Sequence, residues 1–114
     1  MAQGPPEPIS TEAPPGRFAH RFEGADHGSS VSFFVSSPEP GMGPRLHRHP
    51  YDETHVLEEG HATFTVEGEE IALEAGQAIV VPAGAAHTLV NSGDGPMRLV
   101  SIHPRPRMEQ EDLD

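Results

Sequence analysis

The sequence has no cysteine, no tryptophan and no lysine, and its single tyrosine is Tyr51. The absence of cysteine removes disulfide frameworks, thiol nucleophiles and thiolate metal sites together. Positive charge comes from seven arginines alone, set against eighteen acidic residues, and the formal net charge is −11. A chain of this charge repels phosphate backbones, so nucleic acid is not an expected partner. Nowhere do about eighteen apolar residues run together, as a membrane-spanning helix requires, so no membrane partner is expected. The first sixteen residues hold five prolines and lack the basic and apolar blocks of a secretory signal, which makes the cytoplasm the expected location.

A chain of 114 residues has room for one domain. Residues 1–16 and 105–114 carry too little apolar surface to offset the entropy of ordering them, so they are expected to be a flexible N-terminal arm and an acidic C-terminal tail. Between them, residues 17–104 contain short β-branched and aromatic runs broken by Gly, Pro, Asp and Asn. VSFFV at 31–35, HATFTVE at 61–67, EEIALE at 69–74, QAIVVP at 77–82, HTLVN at 87–91 and MRLVSIH at 97–103 read as strands. Regularly spaced short strands without helical periodicity predict an all-β sandwich or closed barrel.

Histidine is abundant, with eight residues, and its spacing carries more information than its number. His47 and His49 stand two apart in an extended segment, so their imidazoles share one side. Pro50, Tyr51 and Asp52 form a turn, after which Glu53 opens the next strand and can return a carboxylate to the same side. His87 follows the turn residues of PAGAA and can reach across the fold. Three neutral imidazoles and a carboxylate leave a divalent ion with a formal charge near +1 and, in octahedral geometry, two open positions.

The segment GMGPRLHRHPYDETHVLEEG, from Gly41 to Gly60, resembles the first signature of the cupin family: Gly, five residues, His-x-His, three, Glu, six, Gly. GQAIVVPAGAAHTLVN, from Gly76 to Asn91, is similar to the second: Gly, five, Pro-x-Gly, two, His, three, Asn. Every fixed position is filled, and fifteen residues separate the two segments, close to the shortest spacing in the family's microbial members. The resemblance implies a small double-stranded β-helix, or jelly-roll, barrel and a metal bound by His47, His49, Glu53 and His87, the four residues that spacing also selects. It implies one divalent ion per chain, Fe, Mn, Ni, Co or Zn, and a homodimer paired through outer strands.

Further pocket candidates follow from strand parity. His55, two residues after Glu53, is a fifth ligand, a partner to the ligands, a proton carrier or packing. Arg45 shares parity with His47 and His49 and either grips a substrate carboxylate or pairs on the surface. Tyr51 either leans over the opening or faces solvent. Ser101 and His103 share one face of the last strand, and parity does not say whether that face is inside. The expected function is a small-molecule enzyme of dioxygenase, isomerase or lyase type, acting on a small and possibly anionic substrate. The alternative is a non-catalytic ligand-binding or sensor barrel.

Overall fold

The computed structural model describes residues 5–114. Ten strands follow in order: β1 (Ala19–Phe22), β2 (Ser32–Ser36), β3 (His47–Arg48), β4 (Glu53–Glu59), β5 (His61–Val66), β6 (Glu69–Glu74), β7 (Ala78–Val81), β8 (His87–Asn91), β9 (Arg98–His103) and β10 (Glu111–Asp112). The only helical element among the described residues is a one-turn 3-10 segment, Gly24–Asp26. The strands form two five-stranded antiparallel sheets, ordered β1-β2-β9-β4-β7 and β10-β3-β8-β5-β6. This is the expected double-stranded β-helix.

Turn chemistry fixes the connections. Glu67 and Gly68 both take positive φ, 48° and 80°, at the tight turn joining β5 to β6, the backbone sense that matches the twist of a hairpin. At Gly43, ahead of β3, an added Cβ would lie 1.8 Å from the Leu89 carbonyl oxygen, so only glycine lets this segment lie against β8. That approach leads the chain into the pairing of His47 with His87.

Inward and outward residues alternate as the pleat requires. Along β4, Glu53, His55 and Leu57 are buried, and along β9 so are Leu99, Ser101 and His103. The apolar residues of this set join Ala62, Phe64, Leu73, Leu89 and Met97 in one cluster, flanked by Val66 and Ile79. The remaining inward positions of β4 and β9, Glu53, His55, Ser101 and His103, are polar and lie toward the other end of the two strands.

The two termini differ from each other. Residues 5–16 form no strand and are nearly all exposed, while residues 1–4 of the expected arm lie outside the described residues. The acidic C-terminal segment, expected to be flexible, is instead ordered. β10 pairs with β3, the Leu113 amide donates to the Leu46 carbonyl at 2.9 Å, and Arg48 binds Glu111 at 2.7 Å. Upstream, the Pro106 carbonyl accepts from the Ala25 amide at 2.8 Å and the Arg105 carbonyl from the Ser32 hydroxyl at 2.7 Å. Backbone pairing of this kind is available to a polar sequence, which explains why composition misreads it.

Candidate metal centre

β3, β4 and β8 carry one ligand set into the barrel. Pairing of β3 with β8 brings the His47 and His87 rings within 4.3 Å, centroid to centroid, and the next residue after β3, His49, stays on the same side. Glu53 enters at the first position of β4. One donor atom from each of His47, His49, Glu53 and His87 lies within 4.8 Å of the others, and all four residues are buried.

Backbone contacts settle which ring nitrogen faces the interior. Nδ1 of His47 donates to the Arg45 carbonyl at 2.6 Å, Nδ1 of His49 to the Glu109 carbonyl at 2.7 Å, and Nδ1 of His87 to the Ala85 carbonyl at 2.9 Å. A carbonyl only accepts, so each neutral ring carries its proton on Nδ1 and presents an Nε2 lone pair to the cluster. His87 Nε2 lies 2.9 Å from Glu53 Oε1. Two acceptors so close need a cation between them, a proton or a metal ion. The fully buried His49 Nε2 lies 3.3 Å from the same Oε1 without an aligned hydrogen bond, so it too needs a cation to satisfy it. The donor set therefore fits a divalent metal.

Two further histidines close on the same carboxylate. His55 Nε2 lies 3.2 Å from Glu53 Oε1 and His103 Nε2 2.8 Å from Oε2, yet neither nitrogen has an aligned hydrogen bond. Their Nδ1 atoms face hydroxyls, Ser101 Oγ at 2.8 Å and Tyr51 OH at 2.6 Å. A hydroxyl can donate, which frees these rings to carry the proton on Nε2, toward Glu53. The five rings thus fall into two sets: three held by carbonyls with lone pairs inward, and two held by hydroxyls that can turn a proton inward.

Protonation follows from the same contacts. Burial works to raise the Glu53 carboxyl, but hydrogen bonds from His103, His49, His55 and His87, given when their Nε2 atoms carry the proton that a metal ion would replace, together outweigh it and hold it far below the usual carboxylate range. Burial lowers His47 and, although the Arg45 carbonyl opposes it, keeps that ring neutral to lower pH than usual. His49 is also penalised by burial, but Glu53 and the Glu109 carbonyl overcome this and raise it. Burial raises Tyr51, so its phenol stays protonated.

Of the candidate pocket residues, His55 reaches the cluster. Tyr51 is buried, neither solvent-facing nor over the opening, and accepts from the Glu109 amide at 3.1 Å. Arg45 is exposed and does not line the cavity. Parity fails for it because β3 spans only His47–Arg48, so the chain before His47 is not a regular strand. The sequence left open the side taken by His103, and it did not single out Glu109. For His103 the obstacle is that Val100 and Ile102 make the opposite face of β9 equally apolar.

A cavity of about 190 Å³ leads to the cluster, lined by His47, His49, Glu53 and His55 at one end and by Phe18, Phe34, Pro38, Pro44 and Leu89 along its walls.

Comparison with known proteins agrees with this architecture. The Cupin domain family matches residues 34–103. The tetracenomycin polyketide synthase protein TcmJ of Streptomyces glaucescens is 34% identical over 80 residues, which are 66% of this chain and 54% of TcmJ. A structure describing the Mn(II) centres of Bacillus subtilis oxalate decarboxylase is 25% identical with a TM-score of 0.76, covering 95% of this chain and 30% of the other. An uncharacterized conserved protein from Klebsiella pneumoniae with a double-stranded β-helix domain is 21% identical with a TM-score of 0.78, covering 98% and 95%, a likeness of fold alone. The chain spans about half the length of TcmJ and under a third of the decarboxylase.

Proposed function

This chain belongs to the cupin family, and from that premise we propose that it is a small-molecule enzyme that binds one divalent metal ion through His47, His49, Glu53 and His87. The observation that carries the reading is the inward aim of three Nε2 lone pairs, each enforced by a backbone carbonyl, around a carboxylate kept ionised. A barrel that needed these residues only for packing would gain nothing by burying four such groups together.

A bound divalent ion would supply Lewis acidity or, if redox-active, dioxygen activation. The chain's own residues do the rest. His47, His49 and His87 hold neutral nitrogen donors in place, and Glu53 lowers the net charge of the site by one. His55, at the cavity floor and hydrogen-bonded to Ser101, is placed to hold or pass a proton at Nε2. The apolar walls would shed water once a ligand covers them. Donor chemistry admits Fe, Mn, Co, Ni or Zn; the Mn(II) centres described for the Bacillus subtilis neighbour support manganese as the first ion to try. A homodimer is proposed on symmetry grounds.

The test is elemental analysis of untagged protein beside a His47→Ala, His49→Ala double variant. Near-stoichiometric metal in the wild type and none in the variant is the expected result. An empty wild type that takes up no added metal would leave a ligand-binding barrel as the better account.

A further inference from the structure

The walls of the cavity say more about its ligand than the metal donors do. Beyond the cluster, the lining is contributed by Phe18, Phe34, Pro38, Pro44 and Leu89, with Ser36, Ser101 and Gln110 as its neutral polar groups. No arginine lines it. Arg45 is exposed elsewhere, and Arg21 sits over Phe34 with its guanidinium carbon 5.8 Å from the ring centroid, paired to Glu23 at 3.3 Å. Arg21 belongs to a separate surface depression that shares Phe34 and Gln110 with the cavity. Phe18 remains 41% exposed, an aromatic ring left half in water at the cavity rim in a chain that has few aromatics. An apolar group so placed gains most when a ligand covers it.

Charge points the same way. A divalent ion with the Glu53 carboxylate and three neutral imidazoles has a net charge of about +1, which one anionic oxygen neutralises. A second negative charge on the ligand would be buried against apolar walls with no cationic side chain opposite, a costly arrangement. Volume sets the size: a cavity of about 150 Å³ is known to hold benzene, so about 190 Å³ suits one ring with small substituents.

Resting on the metal reading above, we infer that the substrate is a ring-sized monoanionic oxygen chelator, an enolate-, phenolate- or hydroxamate-like head on an apolar body, and that small dianions such as oxalate are poor ligands. The walls select the body, and the charge of the centre selects the head. Oxalate is the telling contrast, because the Bacillus subtilis neighbour is an oxalate decarboxylase by name.

The experiment uses the full chain loaded with Co(II), with bound cobalt quantified first. Acetohydroxamate and benzohydroxamate share one monoanionic head and differ only in the ring, so their ratio reports the walls without interference from chelate strength. Titration followed by the cobalt d–d absorption is expected to show benzohydroxamate binding at least about tenfold tighter. Equal affinities would overturn the inference while leaving the metal centre standing; failure to bind cobalt at all would remove both. A Phe34→Arg variant, checked for full cobalt stoichiometry, is expected to gain oxalate affinity by about tenfold and to lose the preference for the ring. Oxalate binding to the wild type as tightly as to this variant would show that the walls do not discriminate by charge, and would also overturn the inference.

Discussion

Along β4 the inward side chains run Glu53, His55, Leu57, and along β9 they run His103, Ser101, Leu99, so one pair of strands supplies both a polar and an apolar end to the same interior. Leu57 stands opposite Leu99, and His55 opposite Ser101. The two strands stay in register from Thr54 to Leu57, and the pairing shifts only beyond Leu57, so across this stretch the side chains make the change from polar to apolar. Phe64 marks the boundary, packed in the apolar cluster with its ring 4.8 Å from that of His55. The apolar end contributes stability through area removed from water. The polar end buries five imidazoles and a carboxylate, which is favourable only when a cation satisfies the lone pairs.

Removing a side chain from each end separates the two. Binding a structural metal through four protein ligands is worth about 10–16 kcal/mol, so one ligand carries about 3–4 kcal/mol. His49→Ala or His87→Ala should weaken metal binding several hundred-fold, measured by competition with a chelator, while the circular dichroism of the metal-free barrel stays that of the wild type. Leu57→Ala should do the reverse. It should cost about 3 kcal/mol in urea unfolding, mid-range for a leucine truncated in a core, and leave metal affinity in the folded protein within about twofold. Metal loss in the leucine variant, or global unfolding in the histidine variants, would mean the two ends are not independent.

The C-terminal segment sharpens the comparison because it touches only the polar end. The Glu109 carbonyl holds His49 and the Glu109 amide holds Tyr51. Ending the chain after Arg107 should therefore weaken metal binding about 10–100-fold, the usual consequence of losing partners behind a ligand. An unchanged affinity would show that His49 keeps its orientation without the tail.

Acid should act selectively as well. His49 has a raised pKa, so in the metal-free protein it contributes stability below the ordinary histidine value of about 6.5, and that contribution is lost as pH rises through its raised value. Metal must displace that proton, so affinity should fall about tenfold per unit as pH drops below the raised His49 value. His47 and Glu53, both shifted down, remain ready to bind at lower pH. The rise in melting temperature caused by metal should accordingly grow from pH 5.5 to 8. A flat profile would point to other ligands.

The cluster was legible because its members sit at turn-defined spacings: His47 and His49 on one side of a short extended segment, Glu53 at the start of β4, His87 directly after a Pro-Gly turn. Local geometry carries that kind of signal. His103 was not legible, since both faces of β9 offer apolar residues and only the pairing of β9 between β2 and β4 decides which is inside. The tail was misread for another reason. EQEDLD has the composition of a disordered segment, but its order comes from backbone pairing with β3 and the Arg48–Glu111 contact, which composition does not register.

The smallest expected effect tests the two-set division of the histidines. Tyr51 OH accepts from the Glu109 amide and has two acceptors for its own proton, the Glu109 carbonyl at 3.3 Å and His103 Nδ1 at 2.6 Å; donation to the nearer one directs the His103 Nε2 proton toward Glu53 Oε2. Tyr51→Phe keeps the ring, its stacking on His49 at 5.3 Å and most of the packing, but removes that donor. His103 is then released to place its proton on Nδ1 and turn a lone pair toward a carboxylate that also carries lone pairs. Glu53 should become less well held and metal affinity should fall by about tenfold, the lower end for an outer partner. The fall should be accompanied by a changed zero-field splitting in the EPR of the Mn(II)-loaded protein, which loss of packing alone would not produce. If affinity fell equally in Tyr51→Phe and Tyr51→Leu with the spectrum unchanged, Tyr51 would act through its ring, and the hydroxyl-held pair would have no separate part in the centre.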